Sequence, residues 1–307
     1  MTHRISRTLS AGLIMLVAAA SPAVAQLKVV ATTPDLASVA REIGGNRVTV
    51  VALAKPTEDP HYVDAKPSHI VTLNRADALI EGGAELELGW LPPLLENSRN
   101  AKISAGAPGR IVASEGIKML EIPTSFDRSK GDVHSLGNPH FMVDPVNVKI
   151  VARNIASHFS QIDPKNAATY NGNLGRFNSA VDAKYADWQK QLAPYRGAKI
   201  VTYHKDFLYF ANRFGLNIVD ELEPKPGIAP SPAHLAQVIG KMRSSNAKLV
   251  LVQPYQNRRT AETVARQANA VVIDTPEQPG AAPNTTSYFD MMDNLVRTLA
   301  NGFRNSK

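Results

Sequence analysis

The longest unbroken pattern in the chain is helical and lies near its middle. From roughly Lys165 to Leu192, Tyr170, Leu174, Phe177, Val181, Tyr185, Trp188 and Leu192 recur at spacings of three and four, with charged residues between them. That is the pattern of one amphipathic helix, long enough to cross a small domain. It ends at Pro194 and Gly197. Any fold of this chain must therefore place one rod between its N-terminal and C-terminal halves.

The two flanking halves read alike. Before the rod, Leu27–Ala31, Arg47–Ala54, Ala78–Ile80 and Arg110–Val112 are β-rich runs, and helical segments start at Pro34, at Pro67 and near Val146. A further helix is read over Leu86–Leu95, around Pro92 and Pro93. After the rod, strands are read at Lys199–Tyr203, Leu216–Val219, Lys248–Val252 and Ala270–Ile273, with helices at Asp206–Phe214, Pro232–Met242, Arg259–Ala268 and Ser287–Phe303. Such alternation implies parallel sheets covered by helices. The expected fold is α/β, two parallel-sheet lobes joined by one long rigid helix. The expected divisions are a leader over 1–25, an N-terminal lobe over 26–163, the connecting helix over 164–194 and a C-terminal lobe over 195–307. No short-period sequence repeat accompanies the twofold architecture.

The leader is a different kind of text. His3, Arg4 and Arg7 make a positive start, Ala11 to Ala20 an apolar run, and Ala23-Val24-Ala25 a small-residue exit before Gln26. These are the parts of a cleaved secretory signal peptide, and the run falls short of the roughly 20 apolar residues that span a bilayer. The chain has no cysteine. That excludes a disulfide scaffold, leaves no thiolate to bind metal and argues against attachment through a lipid-modified cysteine. The expectation is a soluble monomer in a bacterial periplasm. The formal charge of +7 falls to +5 once Arg4 and Arg7 leave with the leader. The basic residues are scattered and aromatic content is only 6%, so no nucleic-acid partner is expected.

The chemistry rests on eight histidines. His3 leaves with the leader, and His69, His158 and His234 lie on helices, where an imidazole is an ordinary surface or capping group. His61, His140 and His204 differ. Each lies in a loop or at a strand end, where a βα lobe presents its ligand-binding edge. Asp59-Pro60-His61 and Asn138-Pro139-His140 mount their imidazoles on stiff proline turns. No two of the three lie at the i, i+4 spacing of a zinc protease helix, so a site made of them is assembled from distant segments. Three imidazoles with one open or oxygen-filled position suit Zn²⁺.

These residues also carry a resemblance. Glu58-Asp59-Pro60-His61 followed by Pro67-Ser68, Asn138-Pro139-His140 followed by Asp144-Pro145, Val201-Thr202-Tyr203-His204 before Asp206-Phe207, and Ser287-Tyr288 with Met291-Met292 occur in that order around the long helix. In this the chain resembles the metal-binding solute-binding proteins of bacterial zinc and manganese ABC transporters, a family that also includes proteins linked to cell adhesion. The resemblance implies that His61, His140 and His204 bind the metal in a cleft between two lobes that move little. It implies an ABC transporter membrane permease as partner, with a metallochaperone left open, and a cargo ion rather than a catalytic one. Zinc is expected over manganese, because nitrogen-rich sites fit Zn²⁺ and Mn²⁺ sites are richer in carboxylate. Copper and nickel would also bind three imidazoles.

The chain departs from the pattern in two places. Many members supply a fourth, acidic ligand just before the Ser-Tyr pair, where this chain has Thr286. Asp290, Asp206, Glu221 and Glu223 lie near plausible edges but read as solvated carboxylates, which leaves water or a displaced carboxylate as the fourth ligand. Zinc members often carry a long histidine-dense loop, whereas Pro123–Gly137 is short and keeps only His134, read as a surface histidine with a metal relay as the alternative. Two other function classes are weighed: a secreted zinc hydrolase with Asp206 or Glu58 as general base, and a surface interaction protein in which the metal is only structural.

Overall fold

The computed structural model describes residues 26–123, 134–225 and 227–306; the leader and most of the loop between Pro123 and Gly137 lie outside the described residues. Strands β1 (Leu27–Ala31), β2 (Val48–Ala52), β3 (Ala78–Glu81) and β4 (Arg110–Val112) form one sheet in the order β2-β1-β3-β4. Strands β5 (Lys199–Thr202), β6 (Asn217–Glu221), β7 (Leu249–Val252) and β8 (Val271–Asp274) form a second in the equivalent order β6-β5-β7-β8. Every pairing is parallel. Strand β7 is an unbroken apolar run, and Leu249 to Val252 are buried at every position because helices cover both faces of the sheet.

The helices are α1 (Pro34–Gly44), α2 (Pro67–Asn74), α3 (Leu91–Ser98), α4 (Pro145–Ile162), α5 (Ala167–Leu192), α6 (Leu208–Phe214), α7 (Pro232–Ser245), α8 (Arg258–Ala268) and α9 (Tyr288–Asn305). One differs from the sequence reading. The helix read over Leu86–Leu95 begins only at Leu91, which puts Pro92 and Pro93 in its first turn, where no backbone N–H is needed. The preceding residues Ala84 and Glu85 are left-handed, with φ of 51° and 67°, and cannot continue a helix. Among the described residues no helix is long and apolar enough to cross a membrane.

Helix α5 is the rod expected from its periodicity. Its 26 residues bury Tyr170, Phe177, Val181, Trp188 and Leu192, while Leu174 and Tyr185 are half-buried at the edge of the same face. Polar bonds fix it at both ends. Asn173 donates through Nδ2 to the Ile43 carbonyl at the end of α1 (2.7 Å), and the Trp188 indole donates to Asp293 Oδ1 on α9 (2.7 Å). Packed around it, one continuous apolar core reaches from Val29 and Ile80 of the first sheet to Ile200 and Leu251 of the second.

Other bonds pin the lobes directly. Arg213 on α6 holds Asp144 at the start of α4 through two parallel bonds of 2.8 and 2.9 Å. The Tyr288 hydroxyl donates to the Met142 carbonyl (3.1 Å), and the Tyr288 N–H to Ser38 Oγ on α1 (2.8 Å). The cleft between the carboxyl edges of the two sheets is thus closed from behind. Because Trp188 is fully buried where α5 meets α9, Trp188→Ala should destabilise the protein by about 3–5 kcal/mol, read as a lower urea midpoint. Its loss should leave a single transition if the two lobes share one core.

Candidate metal centre

The three histidines arrive on three different connections. His61 lies in the loop from β2 to α2, His140 in the turn between β4 and α4, and His204 directly after β5. Strand β5 lies where the order of the second sheet reverses, the crevice in which open α/β sheets bind ligands. The cleft brings all three rings together, with centroids 5.0 Å apart for His61 and His140, 5.4 Å for His61 and His204, and 5.1 Å for His140 and His204. One nitrogen from each lies within 4.8 Å of the others, and among the described residues no carboxylate belongs to that cluster.

The outer ring nitrogens decide the chemistry. His61 Nδ1 lies 2.9 Å from Asp59 Oδ1, and His204 Nδ1 lies 2.8 Å from Glu223 Oε2. A carboxylate can only accept, so each Nδ1 carries a proton and each Nε2 keeps a lone pair for a metal. His140 is kept neutral by burial: it is 8% exposed, and its Nε2 has no hydrogen-bond partner in the protein. Burial first, then the charge of the other histidines, holds its pKa well below the ordinary imidazole value. For His204, burial alone would lower the pKa. The bond to Glu223 and the charges of Asp206, Glu223 and Asp59 outweigh it, and the pKa is raised. Burial likewise opposes ionisation of Asp59, but the bond from His61 and the charges of His61 and His204 keep its carboxyl below the usual range.

Glu223 owes its place to a β-bulge. The register of β5 and β6 shifts from Ile200 opposite Ile218 to Val201 opposite Asp220, which leaves Val219 as the extra residue. The Glu223 N–H then bonds the Tyr203 carbonyl at 2.9 Å. A one-residue shift exchanges the two faces of a strand, so the bulge brings Glu223 rather than Leu222 beside His204. The reading of Glu223 as a solvated carboxylate is thus corrected. Sequence spacing carries no signal for it, since the bond joins residues on two strands whose register is irregular. Asp59, two residues before His61, was visible within the motif itself.

His134 also lies at the site. Its ring stacks on His61 with centroids 5.2 Å apart, and its Nε2 is 3.3 Å from His61 Nε2. It is thus part of the cleft wall and not a plain surface residue. Asp290 is committed elsewhere: with Ser287 it forms the capping box that begins α9, and it also accepts from the exposed Thr286 hydroxyl (3.1 Å). Glu58 accepts the N–H groups of Lys55 and Asp64 in its own loop. Asp206, read from the sequence as a solvated carboxylate, is instead buried, which pushes its pKa up to about 7, and its Oδ2 accepts from Gln256. Behind His140 a cavity is bounded by Asp35, Gln253, Tyr255, Glu277 and Gln278. The other described histidines stay apart from the cluster: His158 pairs with the Pro108 carbonyl, His234 with that of Glu221, and His69 remains on α2.

Comparison with known proteins agrees with this architecture. The family described as zinc-uptake complex component A, periplasmic, matches residues 29–302. The metal ABC transporter substrate-binding lipoprotein ScbA of Streptococcus cristatus is 24% identical over 285 residues, covering 90% of this chain and 89% of the relative. The manganese ABC transporter substrate-binding lipoprotein PsaA of Streptococcus mitis is 25% identical with the same coverage. Among solved structures, a ZnuA deletion mutant with zinc bound superposes with a TM-score of 0.76 at 24% identity, over 90% of this chain and 98% of that one.

The electrostatics of His204 give a pH prediction. A protonated imidazole cannot bind metal, so affinity should be full above the raised pKa of His204 and fall as pH drops through it. Glu223→Gln removes the charge that raises this pKa. In a plot of log Kd against pH for a bound divalent metal, its break should therefore move to lower pH. The high-pH plateau should weaken roughly 10–100-fold, as for other groups that orient a ligating histidine.

Proposed function

The chain belongs to the family of the periplasmic zinc-uptake complex component A, and on that premise we propose that it captures a divalent transition metal, zinc above all, outside the cytoplasmic membrane and delivers it to an ABC transporter permease. The observation that carries this reading is the convergence of His61, His140 and His204, one ring nitrogen from each within 4.8 Å of the others, with the Nδ1 atoms of His61 and His204 held by carboxylates and His140 Nε2 without a partner in the protein. Residues 1–25 act as its signal peptide and the periplasm is where it works. The ion is cargo, and the chain performs no reaction on it.

Zinc is favoured by the donor set. Three neutral nitrogens and no carboxylate in the described cluster suit a borderline-soft ion that accepts tetrahedral geometry, whereas Mn²⁺ prefers harder, oxygen-rich surroundings. PsaA relatives are named for manganese; the nitrogen-only cluster is what sets zinc ahead for this chain. Asp59 and Glu223, behind the ligating rings, offset the charge of a dication in a half-buried cleft without binding it themselves. His134, stacked on His61, supplies a fourth imidazole within reach of an arriving ion.

Replacing His61, His140 and His204 together by alanine should abolish zinc binding in a competition titration against a chromophoric chelator. Zinc should also displace manganese from the unaltered protein. An alanine triple variant with undiminished zinc affinity would refute the site. A native protein that retains manganese against equimolar zinc would refute the choice of metal.

A further inference from the structure

The three histidines come from two lobes, so the site is only as well defined as the distance between them. We propose that Asn138 is the positioning residue that sets this distance, tying the backbone of His140 in one lobe to the backbone beside His204 in the other. The inference rests on the reading that these histidines hold the metal.

Asn138 is 5% exposed, and each of its polar groups is engaged. Its Oδ1 accepts the His140 N–H at 2.9 Å, which fixes the turn that carries that imidazole. Its Nδ2 crosses the cleft and donates to the Lys205 carbonyl at 2.8 Å, one residue after His204. The same Nδ2 lies 3.3 Å from Glu121 Oε2, and Glu121 Oε1 in turn holds Lys205 Nζ at 2.6 Å, a second link between the same two segments. Its own carbonyl accepts the Tyr209 hydroxyl of α6 (2.8 Å), and that hydroxyl also accepts the Leu120 N–H (3.0 Å). Its N–H donates to the Leu120 carbonyl at 2.8 Å. The chain can enter this crowded corner only through Gly137: φ there is +103°, and a Cβ would lie 2.8 Å from the Leu120 carbonyl oxygen.

Only an uncharged amide meets all of these demands, because one end must accept an N–H and the other must donate to a carbonyl. Asparagine thus converts the position of one ligand into that of another on the opposite lobe. A site held at fixed spacing binds the ion whose bond lengths match it and releases it slowly.

The test uses the full mature chain. Asn138→Asp keeps the acceptor for His140 but removes the donor to Lys205 and adds a negative charge beside Glu121. Tyr209→Phe removes only the hydroxyl that steadies the Asn138 carbonyl. Zinc dissociation, followed by stopped-flow transfer to a chelator, should be roughly 10–100-fold faster in Asn138→Asp and faster by a smaller factor in Tyr209→Phe. Discrimination of zinc from manganese should narrow in both. The buried charge of Asn138→Asp lowers the metal-free melting temperature as well, so Tyr209→Phe, which adds no charge, is the variant in which faster release should come without a matching fall. Unaltered dissociation in a folded Asn138→Asp protein would overturn the proposal. So would faster dissociation matched in both variants by a lower metal-free melting temperature, since the residue would then be supporting the fold. Failure of the underlying reading would look different, as the native protein itself would bind no zinc or would lose none on removal of the three histidines.

Discussion

The proposed metal centre depends on which ring nitrogen carries the proton in His61 and His204. Bonds from Nδ1 to Asp59 and Glu223 settle this before any ion arrives. Two neutral imidazoles in the wrong tautomer would present N–H groups to the cleft, and a cation would meet two donors in place of two lone pairs. Burial keeps His140 neutral, because a charged imidazole is costly to hold away from water. The site is thus preorganised by a carboxylate on each lobe and by desolvation between them.

Preorganisation of this kind is useful only if the lobes hold still. Helix α5 spans both, anchored to α1 through Asn173 and to α9 through Trp188. The Arg213–Asp144 pair and the two bonds of Tyr288 add cross-links behind the cleft. A chain with this much shared core has little freedom for the hinge closure common in two-domain binding proteins. On the proposed function, selectivity would therefore come from ligand identity and spacing more than from a large motion.

Much of this was legible in the sequence, for identifiable reasons. The 3.6-residue period of α5 and the alternation of strands and helices depend on local side-chain spacing, and both appear in the structure. The proline-mounted His61 and His140, with His204 at a strand end, stood out because loops at the carboxyl edge of parallel strands present ligands. What sequence could not convey was contact between distant segments within each lobe. Glu223 reaches His204 only through an extra residue in β6, and His134 reaches His61 from a loop with no periodicity of its own. Asp290 looked available as a carboxylate until its pairing with Ser287 became visible, although a serine three residues before an acid is itself a helix-start signal. Long-range register and loop placement are where local chemistry stops being informative.

The most direct test of this account is a structure of the zinc-loaded protein with the element identified by anomalous scattering. It should contain one ion bound by His61, His140 and His204 through Nε2 at about 2.0–2.1 Å, with Asp59 and Glu223 still bonded to the Nδ1 atoms of His61 and His204. An ion held mainly by carboxylates, or one that leaves any of the three imidazoles unbound, would contradict it.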